Sequence, residues 1–173
     1  MKERLASYLA ESQARELAVY LLGNVPGLPP IAQSLHILGI AMVMGSAMVV
    51  NLRLLGIAVP SQRPGEMIQR LLPWTFWALP VNLVTGGLFI VARPNRYFFN
   101  PVAAWKFQML VPVVLLAVVI YWMNARQPGY WEASAGRRNA ARAIAAVSVL
   151  LWVGVVLAGR WIAYTDYLYF LYE

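Results

Sequence analysis

The chain alternates between long apolar blocks and short polar connections. Four of the blocks reach about 20 residues with few charges, which is the length that an α-helix needs to cross a hydrocarbon core of roughly 30 Å. These blocks predict four transmembrane helices, at residues 31–56, 71–92, 101–123 and 140–164. Little chain remains for a soluble domain, so we expect an all-α fold, a four-transmembrane-helix bundle that forms one membrane domain over residues 28–165.

Residues 1–27 follow a different pattern, in which apolar positions recur at helical spacing among charged ones. The apolar positions are Leu5, Tyr8, Leu9, Leu17, Tyr20 and Leu21. The segment is too polar to span a membrane and lacks the apolar core of a signal peptide. We therefore predict an amphipathic interfacial helix over residues 1–21, followed by a linker. Residues 166–173 form an aromatic tail, which we expect in the interface or against a partner chain.

Prolines and one asparagine mark positions within and between the spans. Asn100 and Pro101 have the side chains typical of an N-cap and of the first helical residue, so the third span is expected to start there. Pro80 and Pro112 lie inside the second and third spans. Each removes a backbone hydrogen bond, which predicts a kink.

Charge adds an orientation to this picture. The net charge is +7 with only 12% charged residues, and the cations gather near the span ends. We name side A the side with residues 1–27 and the 93–100 connection, and side B the side with the 57–70 and 124–138 connections. Side B has seven nearby arginines (Arg53, Arg63, Arg70, Arg126, Arg137, Arg138 and Arg142), whereas side A has four nearby cations (Arg93, Arg96, Lys106 and Arg160). The positive-inside rule then predicts a bacterial inner-membrane protein with side B cytoplasmic and both termini periplasmic.

His36 is the only histidine, about one and a half turns into the first span near side A. Gly39, Val43, Ala47 and Val50 follow on the same face, which is therefore mostly small. The favoured interpretation is helix packing, with His36 hydrogen-bonded across the bundle. The alternatives are axial ligation of a haem b iron by His36 and a role in quinone binding or proton relay.

A haem site would need further residues on side A. A second histidine is absent, so Met109 on the third span is the one sensible intrachain candidate for a second axial ligand. Lys106 and Arg160 fall at the membrane level of His36, where they could bind haem propionates, a lipid phosphate or the carboxylates of a partner. The alternative for these cations is that each side chain extends to the headgroups.

Other polar and small residues within the spans favour helix packing. Asn82 and Thr85 lie in the middle of the second span before Gly86 and Gly87, where they either line a polar path or hydrogen-bond between helices. Patterns of two small residues four apart, which permit close helix approach, occur in the first and fourth spans: Ala41 with Gly45, and Gly154 with Ala158.

Several segments carry a resemblance to a known family. The segments are Leu35–Gly39, Asn51–Gly56, Leu71–Phe76, Thr85–Phe89, Asn100–Pro101 with Lys106, Leu151–Trp152 and Gly159–Tyr164. In this order, over about residues 17–165, they resemble a bacterial family of small four-helix integral membrane proteins of unknown function. The resemblance implies a histidine in the first span, matched by His36, and another near the end of the third span, where this chain has Tyr121, Trp122, Met123 and Asn124. That departure weakens a metal or haem role. At the level of fold, the layout is also similar to four-helix cytochrome b-type and copper-resistance membrane proteins.

These features order the functional hypotheses. The spans contain no carboxylate, and the chain has no cysteine and no catalytic set with plausible spacing, so we do not expect an enzyme. The leading hypothesis is a non-catalytic subunit or packing partner of a larger respiratory or photosynthetic membrane complex. Its expected partners are lipid and either other subunits or a second copy of itself, and we do not expect it to bind nucleic acid. The second is a membrane electron carrier that binds haem b or quinone through His36. The third is a small transporter or channel. No cofactor is the favoured expectation, with haem b as the alternative.

Overall fold

The computed structural model describes residues 2–167, with the side chains of residues 3–165, and this part of the chain is helical without a strand. The α-helices are α1 (Lys2–Ala10), α2 (Gln13–Asn24), α3 (Leu28–Leu55), α4 (Pro64–Ala92), α5 (Pro94–Phe98), α6 (Pro101–Arg126) and α7 (Ala135–Trp161). Two 3-10 helices, Tyr130–Glu132 and Ile162–Tyr167, precede and follow α7. The aromatic tail predicted at 166–173 lies, from residue 168 onward, outside the described residues.

The predicted all-α fold is confirmed. Four helices, α3, α4, α6 and α7, are long and apolar enough to cross a membrane. Helix α3 packs against α4 and α7, and α6 packs against α7 and α4, so each long helix has two antiparallel neighbours. Short connections between consecutive helices favour this up-and-down arrangement.

The ends of the long helices follow from local chemistry. The side chain of Asn100 accepts hydrogen bonds from the backbone N–H groups of Val102 (2.9 Å) and Ala103 (3.2 Å), which confirms the predicted N-cap. Helix α3 ends at Leu55, and Gly56 follows as its C-cap, with a φ of 81° in the left-handed region that glycine adopts without strain. Helix α4 begins at Pro64, well before the predicted residue 71. Met67 and Ile68 are buried, so the first turns of α4 pack on the bundle despite their polar neighbours.

The N-terminal segment forms two helices instead of the single predicted one. Ser12 separates them, because its hydroxyl accepts a hydrogen bond from the backbone N–H of Arg15 at 3.3 Å and so caps α2. Helix α1 packs against α5, and α2 packs against α4. The side chains buried in these contacts are the small Ala6 and Ala18. Leu5, Tyr8, Leu17 and Tyr20 are exposed, as an interfacial helix requires for contact with lipid.

Large apolar side chains fill the side-B half of the bundle. Its buried cluster includes Val50, Leu54, Ile68, Leu72, Ile120 and Trp131, whereas the side-A cluster consists of Val102, Ala103, Ala158 and Ile162. Outward-facing apolar residues such as Leu83 and Leu150 are more than 70% exposed, which suits contact with lipid. Polar side chains are nevertheless buried in both halves, with Asn51, Thr75 and Asn124 towards side B and Thr85 and Asn100 towards side A.

A hydrogen-bonded cluster, which we call the side-B latch, joins the α6–α7 connection to the start of α4. It consists of Gly65, Asn124, Gly129 and Glu132. The Asn124 amide donates to the Gly65 carbonyl at 2.9 Å and accepts from the Gly129 N–H at 3.3 Å. A Glu132 carboxylate oxygen accepts from the Gly65 N–H at 2.8 Å, which places a negative charge at the N-terminus of α4.

Candidate functional site

The side-A half of the bundle contains a cluster that we call the polar centre: His36, Asn82 and Thr85. Nδ1 of His36 on α3 lies 2.8 Å from Oγ1 of Thr85 on α4, so the predicted hydrogen bond across the bundle is confirmed. The Thr85 hydroxyl also lies 2.7 Å from the Val81 carbonyl of its own helix. A hydroxyl has one proton, and when it donates to Val81 it accepts from Nδ1–H of His36. In this arrangement Nε2 of His36 keeps its lone pair.

Two glycines make room for the polar side chains between α3 and α4. A Cβ on Gly86 would lie 3.0 Å from Cε1 of His36, and a Cβ on Gly39 would lie 2.5 Å from Oδ1 of Asn82. The contacts are reciprocal, because α3 supplies His36 and Gly39 while α4 supplies Gly86 and Asn82. Residues three apart share a helix face, so the imidazole and the amide lie one turn from each other along this interface.

Between α6 and α7, side chains of one helix again lie against glycines of the other. Nζ of Lys106 lies 3.6 Å from the position of a Cβ on Gly159, and Sδ of Met109 lies 2.6 Å from that of a Cβ on Gly154. Both side chains of α6 therefore rest on glycines of α7. Lys106 is half-buried on α6 at the membrane level of His36. Arg160 is exposed and donates to the hydroxyl of Tyr164 at 2.9 Å.

The structure thus brings together only some of the residues predicted from sequence. His36 lies in the polar centre, Lys106 and Met109 lie against glycines of α7, and Arg160 contacts a tyrosine of its own helical segment. Asn82 and Thr85, which the sequence placed in the middle of the second span, also belong to the polar centre. The glycines that accommodate these side chains were visible in the sequence only as small residues, because their partners depend on how the helices are aligned.

Oδ1 of Asn82 is buried and has no hydrogen-bond partner among the described residues. The same holds for three other buried polar atoms in the spans, which are Oδ1 of Asn51, Oγ of Ser148 and Nε1 of Trp152. An unpaired buried polar group costs about 1–3 kcal/mol. The Asn82 oxygen is therefore an acceptor that a water or a ligand donor beside His36 would satisfy.

Within residues 2–167, no group of three His, Asp or Glu side chains is placed to hold a metal ion. If the chain held a haem, His36 would be the residue to bind its iron, through Nε2, and the hydrogen bond between Nδ1 and Thr85 would orient the ring. At the end of the third span, where the family resemblance implies a histidine, Asn124 is buried and forms part of the side-B latch.

Comparisons with known proteins place the chain in a family without assigning it an activity. A search of curated proteins and a search of solved structures each found no match. A family profile, however, matches residues 22–165, which include all four long helices of the bundle. The match covers most of the chain, and the protein therefore belongs to the family of unknown function DUF6644.

Proposed function

We propose that this protein is a non-catalytic integral membrane subunit that packs against another transmembrane helix through the outer face of α3. The observation that carries the proposal is Gly45, which is exposed in the middle of α3 and has no other group within 4 Å of where a Cβ would lie. Ala41, one turn earlier, is exposed as well. The Ala41–Gly45 pattern thus faces out of the bundle, on the side of α3 opposite His36.

The use of the other small residues supports this proposal. Gly39, Gly86, Gly154 and Gly159 each accommodate a side chain from a neighbouring helix, and Ala158 is buried. Among the glycines in the middle of the long helices, Gly45 and Gly87 have no such contact within the described part of the chain, and of these two only Gly45 is exposed. Glycine in a helix is about 1 kcal/mol less favourable than alanine, and small residues four apart are typical of contacts between transmembrane helices. The face therefore suits a helix of another subunit or of a second copy.

The test replaces the small face with bulky side chains. Ala41→Leu and Gly45→Leu are compared with Ala146→Leu, which adds the same side chain at an exposed alanine of α7. Proteins are purified from native membranes in mild detergent and their mass is measured. We expect wild type and Ala146→Leu to elute as a complex, and the two α3 variants to elute as folded monomers. A monodisperse wild-type monomer with nothing bound would contradict the proposal.

A second candidate function, a haem b or quinone-binding electron carrier, is favoured by the His36–Thr85 geometry. The hydrogen bond at Nδ1 holds the ring and leaves Nε2 as a base, and Lys106 supplies a positive charge for an anionic group. Absorption spectra of oxidised and reduced protein from native membranes test haem binding, and lipid extraction with quinone analysis tests the other cofactor. Either cofactor should be lost in His36→Ala. Its retention in that variant would exclude His36 as its binding residue.

For localisation, we propose the bacterial inner membrane, with side B in the cytoplasm and both termini in the periplasm. Four apolar helices support a multi-pass membrane protein. The finer assignment is supported by the excess of arginine at side B, seven residues against four cations at side A.

A further inference from the structure

Side A has a cavity of about 180 Å³ where the α1–α2 hairpin meets the junction of α4 and α5. Its lining consists of Ala10, Arg15 and residues 92–96, which include Arg93, Asn95 and Arg96. A single water needs only about 10–15 Å³, so the space admits a larger group. Three of the seven lining residues are arginines and none is acidic.

Separate elements bring these arginines together. Arg15 lies in the first turn of α2, and a guanidinium N–H of Arg15 donates to the Ala10 carbonyl at 3.4 Å, which directs the side chain towards the α1–α2 turn. Arg93 lies between α4 and α5, and the N–H of Arg96 donates to the Arg93 carbonyl at 3.2 Å within the following turn. The packing of α1 on α5 and of α2 on α4 then places the two groups on one cavity.

The charge of this cavity indicates what it would bind. Guanidinium groups around one space repel one another, and a bound anion removes that repulsion. Glu11 and Glu16 flank Ala10 and Arg15 in sequence, but both are exposed and neither lines the cavity. Ala92 ends a membrane-spanning helix, so the cavity lies at the level of lipid headgroups. Arginine forms paired hydrogen bonds with phosphate oxygens, and it does so better than lysine.

We propose that Arg15, Arg93 and Arg96 form a binding site for a phosphate group, that of an anionic phospholipid headgroup at side A. The phosphate oxygens accept hydrogen bonds from guanidinium groups of both the hairpin and the α4–α5 junction. The bound group thereby fastens the N-terminal hairpin to the bundle. The site is separate from the outer face of α3 and from the polar centre, so a test of phosphate binding here is independent of a test of the proposed function.

Native mass spectrometry of the full-length protein, titrated with phosphatidylglycerol or with phosphatidylcholine, tests the site. Arg15→Gln and Arg96→Gln are compared with Arg4→Gln, which removes the same charge from an exposed position on α1 outside the cavity. We expect wild type and Arg4→Gln to bind one phosphatidylglycerol in preference to phosphatidylcholine. Each cavity variant should bind it about tenfold more weakly, which corresponds to the loss of one charge-assisted hydrogen bond.

A second measurement identifies the source of the phosphate. Inorganic phosphate is added to lipid-free wild type and to Arg15→Gln, and the thermal unfolding midpoint is recorded. A rise in wild type alone would support the site with free phosphate as a ligand, whereas no rise together with selective lipid binding would support the headgroup. Equal phosphatidylglycerol binding by wild type and helical, monodisperse cavity variants would overturn the proposal, as would equal weakening in Arg4→Gln.

Discussion

At the scale of single residues, the bundle combines polar side chains with glycines that make room for them. His36 lies against Gly86 and Asn82 against Gly39, so groups that are costly in a membrane are enclosed between helices. The geometry tolerates no added methyl group next to the Asn82 amide. Each of these residues can therefore be tested together with the neighbour that it contacts.

Gly39→Ala should destabilise the protein. The added methyl group would lie 2.5 Å from Oδ1 of Asn82, and overpacking costs about 1–3 kcal/mol. This exceeds the gain of up to about 1 kcal/mol that alanine brings to a helix. Combining Gly39→Ala with Asn82→Ala should remove the loss, because the contact disappears. Denaturation in detergent measures the stability of the single and the double variant. Gly87→Ala is the control, because the space around Gly87 is open. A destabilised double variant would show that the Asn82 contact is not the cause.

Thr85→Val should remove the hydrogen bond to His36 while keeping the shape of the side chain. Hydrogen bonds between transmembrane helices contribute about 0.6 kcal/mol on average and up to about 1.7 kcal/mol, so a loss within this range is expected. A double-mutant cycle with His36→Ala isolates the coupling between the two residues. Additive effects of the two substitutions would mean that the 2.8 Å contact contributes no stability.

At the scale of elements, the side-B latch fixes the start of α4 against the α6–α7 connection. Asn124 is central to it, because its buried amide bonds both Gly65 and Gly129. Trp131 adds a hydrogen bond from its indole N–H to the Ile120 carbonyl at 3.0 Å. The connection is thus held by side chains from within and beside it, although no regular secondary structure other than one 3-10 turn spans it.

Asn124→Ala should loosen the α6–α7 connection without unfolding the bundle. The substitution leaves the Gly65 carbonyl and the Gly129 N–H without their partner, at a cost of about 1–3 kcal/mol. Hydrogen exchange measured by mass spectrometry should increase in residues 127–134 and at the start of α4, and should stay unchanged in α3. Asn139→Ala, which makes the same substitution at an exposed position near the start of α7, serves as the control. If hydrogen exchange in these segments were the same in Asn124→Ala as in the control variant, the result would argue against the latch.

The sequence was sufficient for some elements and not for others. Long apolar blocks are required to cross a bilayer, and Asn100 with Pro101 is a local cap, so the four long helices and the start of α6 were predictable. The split at Ser12 was not, since it depends on a hydrogen bond from the Arg15 N–H, which the helical spacing of the apolar residues does not reveal. The early start of α4 was not predictable either, since it depends on the packing of Ile68 against distant helices. For the same reason, sequence placed His36 near Lys106 by membrane level but could not identify Gly86 as the neighbour of His36 or Gly159 as the neighbour of Lys106.

At the scale of the whole molecule, the two ends of the bundle differ in composition. Side B is filled by large apolar residues and closed by the latch, whereas side A has the polar centre, the N-terminal hairpin and the arginine cavity. The polar centre and the arginine cavity thus both lie on side A. Which compartment that side faces decides which lipids, cofactors and partners can reach it.

The orientation can be measured directly, because the chain has no cysteine to interfere with labelling. Single cysteines at Ser61, in the α3–α4 connection, and at Gln13, at the start of α2, report on sides B and A, and both positions are exposed. With side B cytoplasmic, a membrane-impermeant maleimide should label Gln13→Cys in intact spheroplasts and Ser61→Cys only after the membrane is opened. The reverse pattern would place the polar centre and the arginine cavity towards the cytoplasm. It would also show that the excess of side-B arginines, four of which contact neighbouring backbone or aromatic groups, does not set the topology.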